Sequence, residues 1–313
     1  AATRSLTDGF QPATDARLHA AVAKLADAEY AAGAVDLKAA LDRVIGQFSN
    51  KPGRDQVILY LGDGESAASR QPLTEAERIQ LGQRLADREI AFFAVPLGLK
   101  VNAYNLHGLA TLSGGTVVRV PEDLSTVKSR TDAATQLRTA FAAPILRPES
   151  VTFSNDVAEI YPTRLPPLRT DRTTLVLGKL HRDTPALTAT IVGRVGEQKV
   201  TVNLAERLPE AKSENFFLHA MLQQWKSAAD KDAPALLAAD RSLAMASAQF
   251  SLYRDEYLAQ GVWAISSDKL DHAEKLFLAA AQIDPESVDA QAGVRVVRKM
   301  RSGDLSREKL QKA

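Results

Sequence analysis

Cysteine is absent from this chain of 313 residues. Its absence excludes disulfide bonds, thiolate catalysis and the zinc or iron–sulfur sites that Cys holds. No apolar stretch approaches the roughly 20 residues that cross a bilayer, so we expect no membrane insertion. The formal net charge is only +1. Because such a chain has no overall field that recruits polyanions, we also expect no nucleic-acid partner.

Familiar catalytic motifs are missing as well. The five histidines form neither an H-x-x-x-H nor an H-E-x-x-H pair. The sequence contains no G-x-S-x-G nucleophile elbow and no G-x-x-x-x-G-K-[ST] phosphate loop. We therefore expect that the protein is not an enzyme, and we assign no catalytic residue.

The first part of the chain, residues 1–144, alternates helical and strand-like segments. Apolar residues at three- and four-residue spacing predict amphipathic helices, and Thr74 with Glu77 has the capping-box pattern that begins one of them. Short β-branched apolar runs predict buried strands. This alternation is typical of a parallel α/β sheet covered on both faces. The predicted strands are residues 56–61, 91–95 and 116–120, and the predicted helices are residues 14–30, 36–48, 73–90, 102–115 and 123–143.

The remainder of the chain has two different patterns. Residues 145–204 contain clustered prolines in PTRLPPL and then β-branched, partly alternating segments, with a predicted hairpin turn at Gly196 and Glu197. They predict a small antiparallel β domain. Residues 205–313 lack strand signals and are predicted to be helical throughout.

An acid at the end of the first predicted strand is the main candidate for chemistry. The run QVILYLGDGES places Asp63 between Gly62 and Gly64, which let the backbone turn without a Cβ clash. Parallel sheets place ligands at the carboxyl ends of their strands, but Asp and Gly are also usual where a strand stops. Three roles are therefore open for Asp63: a metal ligand, a nucleophile, or only a strand terminator.

The segments around Asp63 carry a family resemblance. VILYLGDGES, with AAGAVDLKAALDRVI before it and FFAVPLG…NLHGLATLSGGTVVRV after it, resembles a von Willebrand factor A (vWA) domain. The resemblance implies a Rossmann-like sheet and a divalent-ion site with three contributions: an Asp-x-Ser-x-Ser loop, a Thr loop and an Asp after the fourth strand. Asp63 matches the last of these. Ser113, Gly114 and Gly115 match a late turn of the family.

The ion site that the resemblance implies is only partly present. No Asp-x-Ser-x-Ser occurs near the start, and Val35 holds the Thr position, where it offers no oxygen to a hard cation. The neighbouring Asp36 is expected to cap the following helix. We therefore predict a degenerate ion site and no cofactor. Asp63 would bind Mg²⁺ only if other ligands completed the site from the N-terminal part of the vWA fold, which we expect to be absent.

A sheet built from the later vWA strands alone leaves an edge of residues 56–61 without a neighbour. A flat apolar edge favours pairing with another chain and aggregation. We expect residues 1–6 or a second chain to cover this edge.

Two weaker resemblances concern the rest of the chain. A YP…LP.L stretch resembles the segment that follows the vWA domain in bacterial proteins of the inter-alpha-trypsin inhibitor heavy-chain type; it rests on Tyr161, Pro162, Leu165, Pro166, Leu168 and Gly178. Residues 257–287 resemble one tetratricopeptide repeat (TPR), with Gly261, Ala273, Phe277, Ala280 and Pro285 at that repeat's spacing. Gly261 and Ala273 would let paired helices approach, and Phe277 would fill the gap. An ordinary helical hairpin is the alternative.

Together these patterns predict a partial vWA- or Rossmann-like α/β parallel sheet (1–144), a small antiparallel β domain (145–204) and an α-helical, TPR-like region (205–313). The favoured function is a non-enzymatic scaffold that binds other proteins. The alternatives are a metal-dependent adhesion module and a hydrolase or phosphotransfer enzyme using Asp63. The resemblance suggests an extracytoplasmic location. The expected protein-binding residues are Gly62, Asp63, Gly64, Glu65, Val35 and Asp36.

Overall fold

The computed structural model of the chain describes residues 5–7, 9–26, 35–49, 54–66, 72–98, 100–121, 123–181, 184–228 and 239–305. Within these ranges the protein has a small parallel α/β part, an antiparallel sheet and a helical C-terminal region. None of the described helices combines the length and apolar character of a membrane span. Most of the segment 1–6 that we expected at the sheet edge lies outside the described residues, as do residues 27–30 of the first predicted helix.

The α/β part confirms the predicted helices and the first two predicted strands, in the predicted order. Strands β1 and β2 are parallel and in register, with Gln56 opposite Ile90 and Gly62 opposite Pro96. Asp36 caps α2 by accepting from the backbone N–H of Ala39. Thr74 and Glu77 form the predicted capping box at the start of α3. The elements are α1 (Asp15–Ala26), α2 (Leu37–Ile45), β1 (Gln56–Gly62), α3 (Glu75–Asp87), β2 (Ile90–Pro96), α4 (Ala103–Ser113) and α5 (Val127–Ala142).

The third predicted strand, residues 116–120, is wrong in extent. It pairs with β2 only at a single bridge between Val117 and Ala94. A parallel ladder would continue through the N–H groups two residues away on β2, at positions 92 and 96. The N–H of Phe92 donates instead to the hydroxyl of Ser113 at 2.9 Å, and Pro96 has no N–H. The ladder therefore stops on both sides of the bridge.

Two apolar layers sandwich this short sheet. One face packs on α2, α3 and α4 and contains Ile58, Phe92 and Ala94 of the strands. The opposite face packs on α5 and contains Ala91 and Phe93 of β2. Since side chains alternate along a strand, the even-numbered positions of β1 and β2 face the first layer and the odd-numbered positions face the second.

The antiparallel part confirms the predicted hairpin. Strands β7 and β8 pair along their whole length, and Gly196, at φ +59°, and Glu197 form the two-residue loop between Val195 and Gln198. One sheet has the order β5-β3-β7-β8, and β4 and β6 form a separate ribbon. Strand β8 ends beyond the boundary that we predicted at residue 204. The strands are β3 (Ile145–Phe153), β4 (Val157–Tyr161), β5 (Leu168–Arg169), β6 (Leu177–Leu180), β7 (Ala186–Val195) and β8 (Gln198–Arg207).

Arg169 connects the antiparallel sheet to the α/β part. Its guanidinium donates to the carbonyl of Gly114, which follows α4, at 3.0 Å, and to that of Ala140, in the last turn of α5, at 2.7 Å. It also forms an ion pair with Asp171 at 2.8 Å and lies over the ring of Phe93. One buried cation therefore meets the electronegative ends of two helices.

Three helices of the C-terminal region pack around one aromatic ring. Phe277 of α8 is buried, and a Cβ added to Gly261 of α7 or to Gly293 of α9 would meet its ring at 2.8 Å or 2.3 Å. Ala273 of the same helix as Phe277 is fully buried. The predicted packing of Phe277 against Gly261 is therefore present. The helices are α6 (Phe217–Ser227), α7 (Ala239–Ser266), α8 (Leu270–Ile283) and α9 (Val288–Arg301).

Candidate site at the carboxyl ends of the parallel strands

Three segments of the α/β part meet where the parallel strands end. The loop after β1 bonds to the loop after β2 through Leu97, whose N–H donates to the carbonyl of Gly62 at 3.0 Å. A second bond joins the N–H of Asn102 to the carbonyl of Asp63 at 2.7 Å. The start of α2 joins them, because the N–H of Leu37 donates to the buried hydroxyl of Ser66 at 3.1 Å. This surface, called the strand-end face below, carries the six predicted residues Gly62, Asp63, Gly64, Glu65, Val35 and Asp36.

Glycine is required at position 64 for both conformation and space. Gly64 has φ +76°, in the left-handed region that favours glycine. An added Cβ would lie 2.7 Å from Cγ of Leu106 and 3.1 Å from the carbonyl oxygen of Asn102. Gly62 is constrained by space alone, since its Cβ would meet the Tyr60 hydroxyl at 2.7 Å. These glycines hold the loop close to α4 and to β1.

Asp63 is partly buried and has a fixed carboxylate. Its Oδ1 accepts a hydrogen bond from the N–H of Glu65 at 2.9 Å. The nearby Tyr60 hydroxyl accepts from the N–H of Gly64 at 3.2 Å. Burial raises the pKa of Tyr60, and the charge of Asp63 raises it further, against the lowering effect of the bond from Gly64. Tyr60 therefore stays a neutral phenol beside the acid.

Two asparagines of the site were missed by the sequence analysis. Asn102 caps α4 by accepting from the N–H of Asn105 at 3.0 Å, and its amide donates to a carboxylate oxygen of Glu65 at 3.4 Å. The buried Asn105 donates to the carbonyl of Gly64 at 2.9 Å. An Asn before an amphipathic helix is a cap signal, so Asn102 was readable from NAYN. The bond from Asn105 to Gly64 spans 41 residues and leaves no local signal.

The start of α2 presents an apolar and an acidic residue to solvent. Val35 is 44% exposed, and Asp36 uses its carboxylate to cap α2 at Ala39. Across from them, hydrogen bonds from Thr74 lower the pKa of Glu77. The charge of Lys38 lowers it further, and the charge of Asp36 opposes this by a smaller amount. The structure thus brings Val35 and Asp36 to the same end of the sheet as Asp63.

The donor set at this face does not fit a magnesium site. Magnesium prefers near-octahedral oxygen coordination, whereas Val35 supplies no oxygen and one oxygen of Asp63 already accepts from a backbone N–H. Among the described residues, no three His, Asp or Glu side chains come together as metal ligands.

Two cavities lie at the opposite end of the α/β part, against the antiparallel sheet. They measure about 550 and 760 Å³ and share Asp87, Glu89, Arg147 and Arg194 in their walls. Arg194 forms ion pairs with Glu89 at 2.6 Å and with Glu149 at 2.9 Å. Arg147 donates to the carbonyl of Glu89 at 3.1 Å, and burial lowers its pKa. Because Arg194 bonds two glutamates across the junction of the two sheets, we interpret the cluster as structural.

A family model, given below, agrees with the vWA resemblance. No curated protein matches the chain. Among solved structures, the chain is similar to a von Willebrand factor type A protein from Catenulispora acidiphila, with 14% identity over 91% of this chain and 67% of that one and a TM-score of 0.37. It is similar to the ArnB paralog VWA2 from Sulfolobus acidocaldarius, with 13% identity over 87% and 66% and a TM-score of 0.34.

The human COPII-coat protein Sec24c is a further similar structure, with 10% identity over 79% of this chain and 33% of that one and a TM-score of 0.34. TM-scores this low support no argument about function. The chain thus spans about two thirds of the first two proteins and a third of the last. The family model described as von Willebrand factor type A domain matches residues 1–118. The chain therefore carries a von Willebrand factor type A domain over residues 1–118.

Proposed function

We propose that this chain is a non-enzymatic scaffold whose vWA domain binds another protein through the strand-end face. Domains of this type usually mediate protein interactions. The observation that carries the proposal is the bond between the N–H of Leu37 and Ser66. It brings Val35 and Asp36 to the loop of Asp63, so one surface combines an exposed apolar side chain with fixed acids.

The chemistry of this face favours a protein partner with a basic and an apolar group. The carboxylate of Asp63 is already oriented by the N–H of Glu65, so little conformational entropy is lost when a partner's Lys or Arg binds it. The exposed side chain of Val35 offers apolar contact beside it. Charged contacts at such a rim give orientation and specificity more than affinity.

Photo-crosslinking tests this proposal. A benzophenone amino acid is placed at Val35 and, as a matched control, at Val288, which is 73% exposed on α9. The proposal predicts capture of a protein partner from position 35 and not from position 288. The affinity of that purified partner is then measured for Asp63→Asn, an isosteric change that removes only charge, and for Val35→Asp.

We expect each variant to bind at least about tenfold more weakly, equivalent to about 1.4 kcal/mol, while Val288→Asp binds normally. Unchanged affinity in both Asp63→Asn and Val35→Asp would refute the strand-end face as the binding surface.

A divalent-metal-dependent adhesion module is the second candidate. The observation in its favour is that two carboxylates, Asp63 and Glu65, share one loop, and carboxylate oxygens are ligands of hard cations. Its remaining ligands would have to come from outside the described residues. This candidate predicts that chelator abolishes partner binding and that Mg²⁺ restores it, whereas the degenerate ion site that we propose predicts no effect of either.

The helical region supports the scaffold proposal. The close approach of Phe277 to Gly261 supports a TPR-like packing of α7 and α8, and α9 packs on the same ring through Gly293. We propose that this region is TPR-like and forms a second protein contact through α7, where Val262 and Trp263 are 62% and 59% exposed. A Trp263→Ser variant that bound the captured partner normally would count against the second contact.

We also propose that the β part is of the inter-alpha-trypsin inhibitor heavy-chain type.

A further inference from the structure

One half of the sheet is bare on the face that α5 covers. Leu59 and Leu61 of β1 are 41% and 58% exposed. Their register partners on β2, Phe93 and Val95, are only 1% and 3% exposed. On β1 this face is therefore covered only at the start of the strand, where Val57 packs with the α5 layer. Parallel sheets are normally buried on both faces, so a layer is missing over β1.

Helix α1 also has an apolar side that packs against nothing in the described part of the chain. Helix α1 has no buried residue. Its apolar side chains Leu18, Val22 and Leu25 follow one another at four- and three-residue spacing, which places them on one stripe, and they are 59%, 56% and 62% exposed. A helix of 12 residues is marginal in water without such packing.

The dimensions of the helix and the strand match. The stripe from Leu18 to Leu25 covers about 10 Å along the helix axis, at about 1.5 Å per residue. Leu59 and Leu61 are about 6.6 Å apart along the strand, at about 3.3 Å per residue. One docked helix can therefore cover both leucines.

The covalent connection allows this docking within one molecule. Helix α2 lies in the layer on the opposite face of the sheet, where Leu37 and Leu41 are core residues. The chain from Ala26 to Leu37 can span about 36 Å when extended, at about 3.3 Å per residue, whereas crossing from one helical layer to the other takes about 20 Å, two helix diameters. Among the described residues, β1 pairs only with β2, so the connection can pass around its outer edge.

We propose that α1 closes as a strap over β1 of the same molecule, with Leu18, Val22 and Leu25 packed on Leu59 and Leu61. The docked helix completes the second helical layer of the vWA domain. Because Leu61 directly precedes Gly62, the closed strap lies beside the strand-end face.

Disulfide trapping tests the strap, and the absence of native cysteine makes every disulfide attributable. The full chain carries Val22→Cys with Leu61→Cys, two exposed positions. The matched control carries Ala20→Cys, on the opposite side of α1, with Leu61→Cys. Under mild oxidation we expect an intramolecular disulfide to form at least about tenfold faster in the first variant, since a disulfide needs its Cα atoms within about 7 Å. Equal rates in the two variants, or disulfides only between molecules, would overturn the proposal.

Hydrogen exchange provides a second measurement on the unmodified sequence. We expect the amides of α1 to exchange at least about tenfold more slowly than those of an unfolded peptide, because a docked helix opens less often. Leu59→Asp places a charge under the strap and should remove that protection while leaving the amides of α3 protected. Unprotected α1 amides in the wild-type chain, or protection that survives Leu59→Asp, would contradict the proposal.

Discussion

Arg169→Met gives the sharpest test of how the two sheets are joined. The side chain of Arg169 is 4% exposed, and the change removes its bonds to the carbonyls of Gly114 and Ala140 and leaves Asp171 without its cation. Breaking a buried ion pair on one side costs about 3–5 kcal/mol. Methionine retains the aliphatic volume, so little of this loss comes from a cavity.

Two further variants separate the loss of unfolding free energy in Arg169→Met from the general effect of losing an arginine. Arg169→Lys retains the charge but has a single ammonium in place of a planar fork. Because it cannot reach two helix ends and a carboxylate together, we expect roughly half of the loss. Arg138→Met, on the exposed side of α5, is the matched control and should change stability by less than about 0.5 kcal/mol.

The assay is urea unfolding of the full chain followed by circular dichroism. Because a chain of this size can unfold in more than one step, the transitions are fitted separately, and the first transition is expected to move in Arg169→Met. If its free energy of unfolding stayed within about 1 kcal/mol of the wild-type value, the reasoning about the buried guanidinium would be wrong.

Three further predictions follow from single contacts. Phe277→Ala should destabilise the helical region by about 3–5 kcal/mol, because the ring fills the space that Gly293 leaves open; a loss below about 1 kcal/mol in thermal unfolding monitored by tryptophan fluorescence would contradict this packing. Gly64→Ala should cost about 1–3 kcal/mol in chemical denaturation, since φ is +76° and Leu106 blocks the Cβ; a neutral result would show that the loop can move away. Burial alone would raise the pKa of Asp171, but the bonds and charge of Arg169 outweigh it and lower that pKa. The contribution of Asp171 is thus present above its unfolded pKa of about 3.9 and lost as pH falls through the lower folded value, so Arg169→Met should show a smaller loss of stability between pH 5 and 2 than wild type, and parallel pH profiles would refute the assignment.

Much of the α/β part followed from patterns that act locally. Apolar periodicity predicted the helices and the first two strands, and the capping box at Thr74 formed as expected because both of its partners lie within one helical turn. The prediction of a third strand at residues 116–120 was wrong for a reason that the sequence of this segment does not contain. Its pairing depends on N–H groups of β2, and there Phe92 is engaged by Ser113 and Pro96 has none.

In the strand-end face, too, local contacts were predictable from the sequence and contacts between distant residues were not. The position of Asp63 and the turn at its glycines were predictable, because strand ends and glycines mark turns. The roles of Asn105 and Ser66 were not, since each bonds a backbone group far away in the sequence. In the helical region Gly261 and Phe277 were predicted to pack, whereas Gly293 lies on a third helix and was missed.

Titration calorimetry tests our proposal that the vWA domain works by protein contact without a cation at Asp63. Mg²⁺, Mn²⁺ and Ca²⁺ are titrated into the full chain and into Asp63→Ala. We predict no saturable heat for any of the three ions in either protein. Saturable binding by the wild-type chain that disappears in Asp63→Ala would refute this proposal and establish a metal site at this acid.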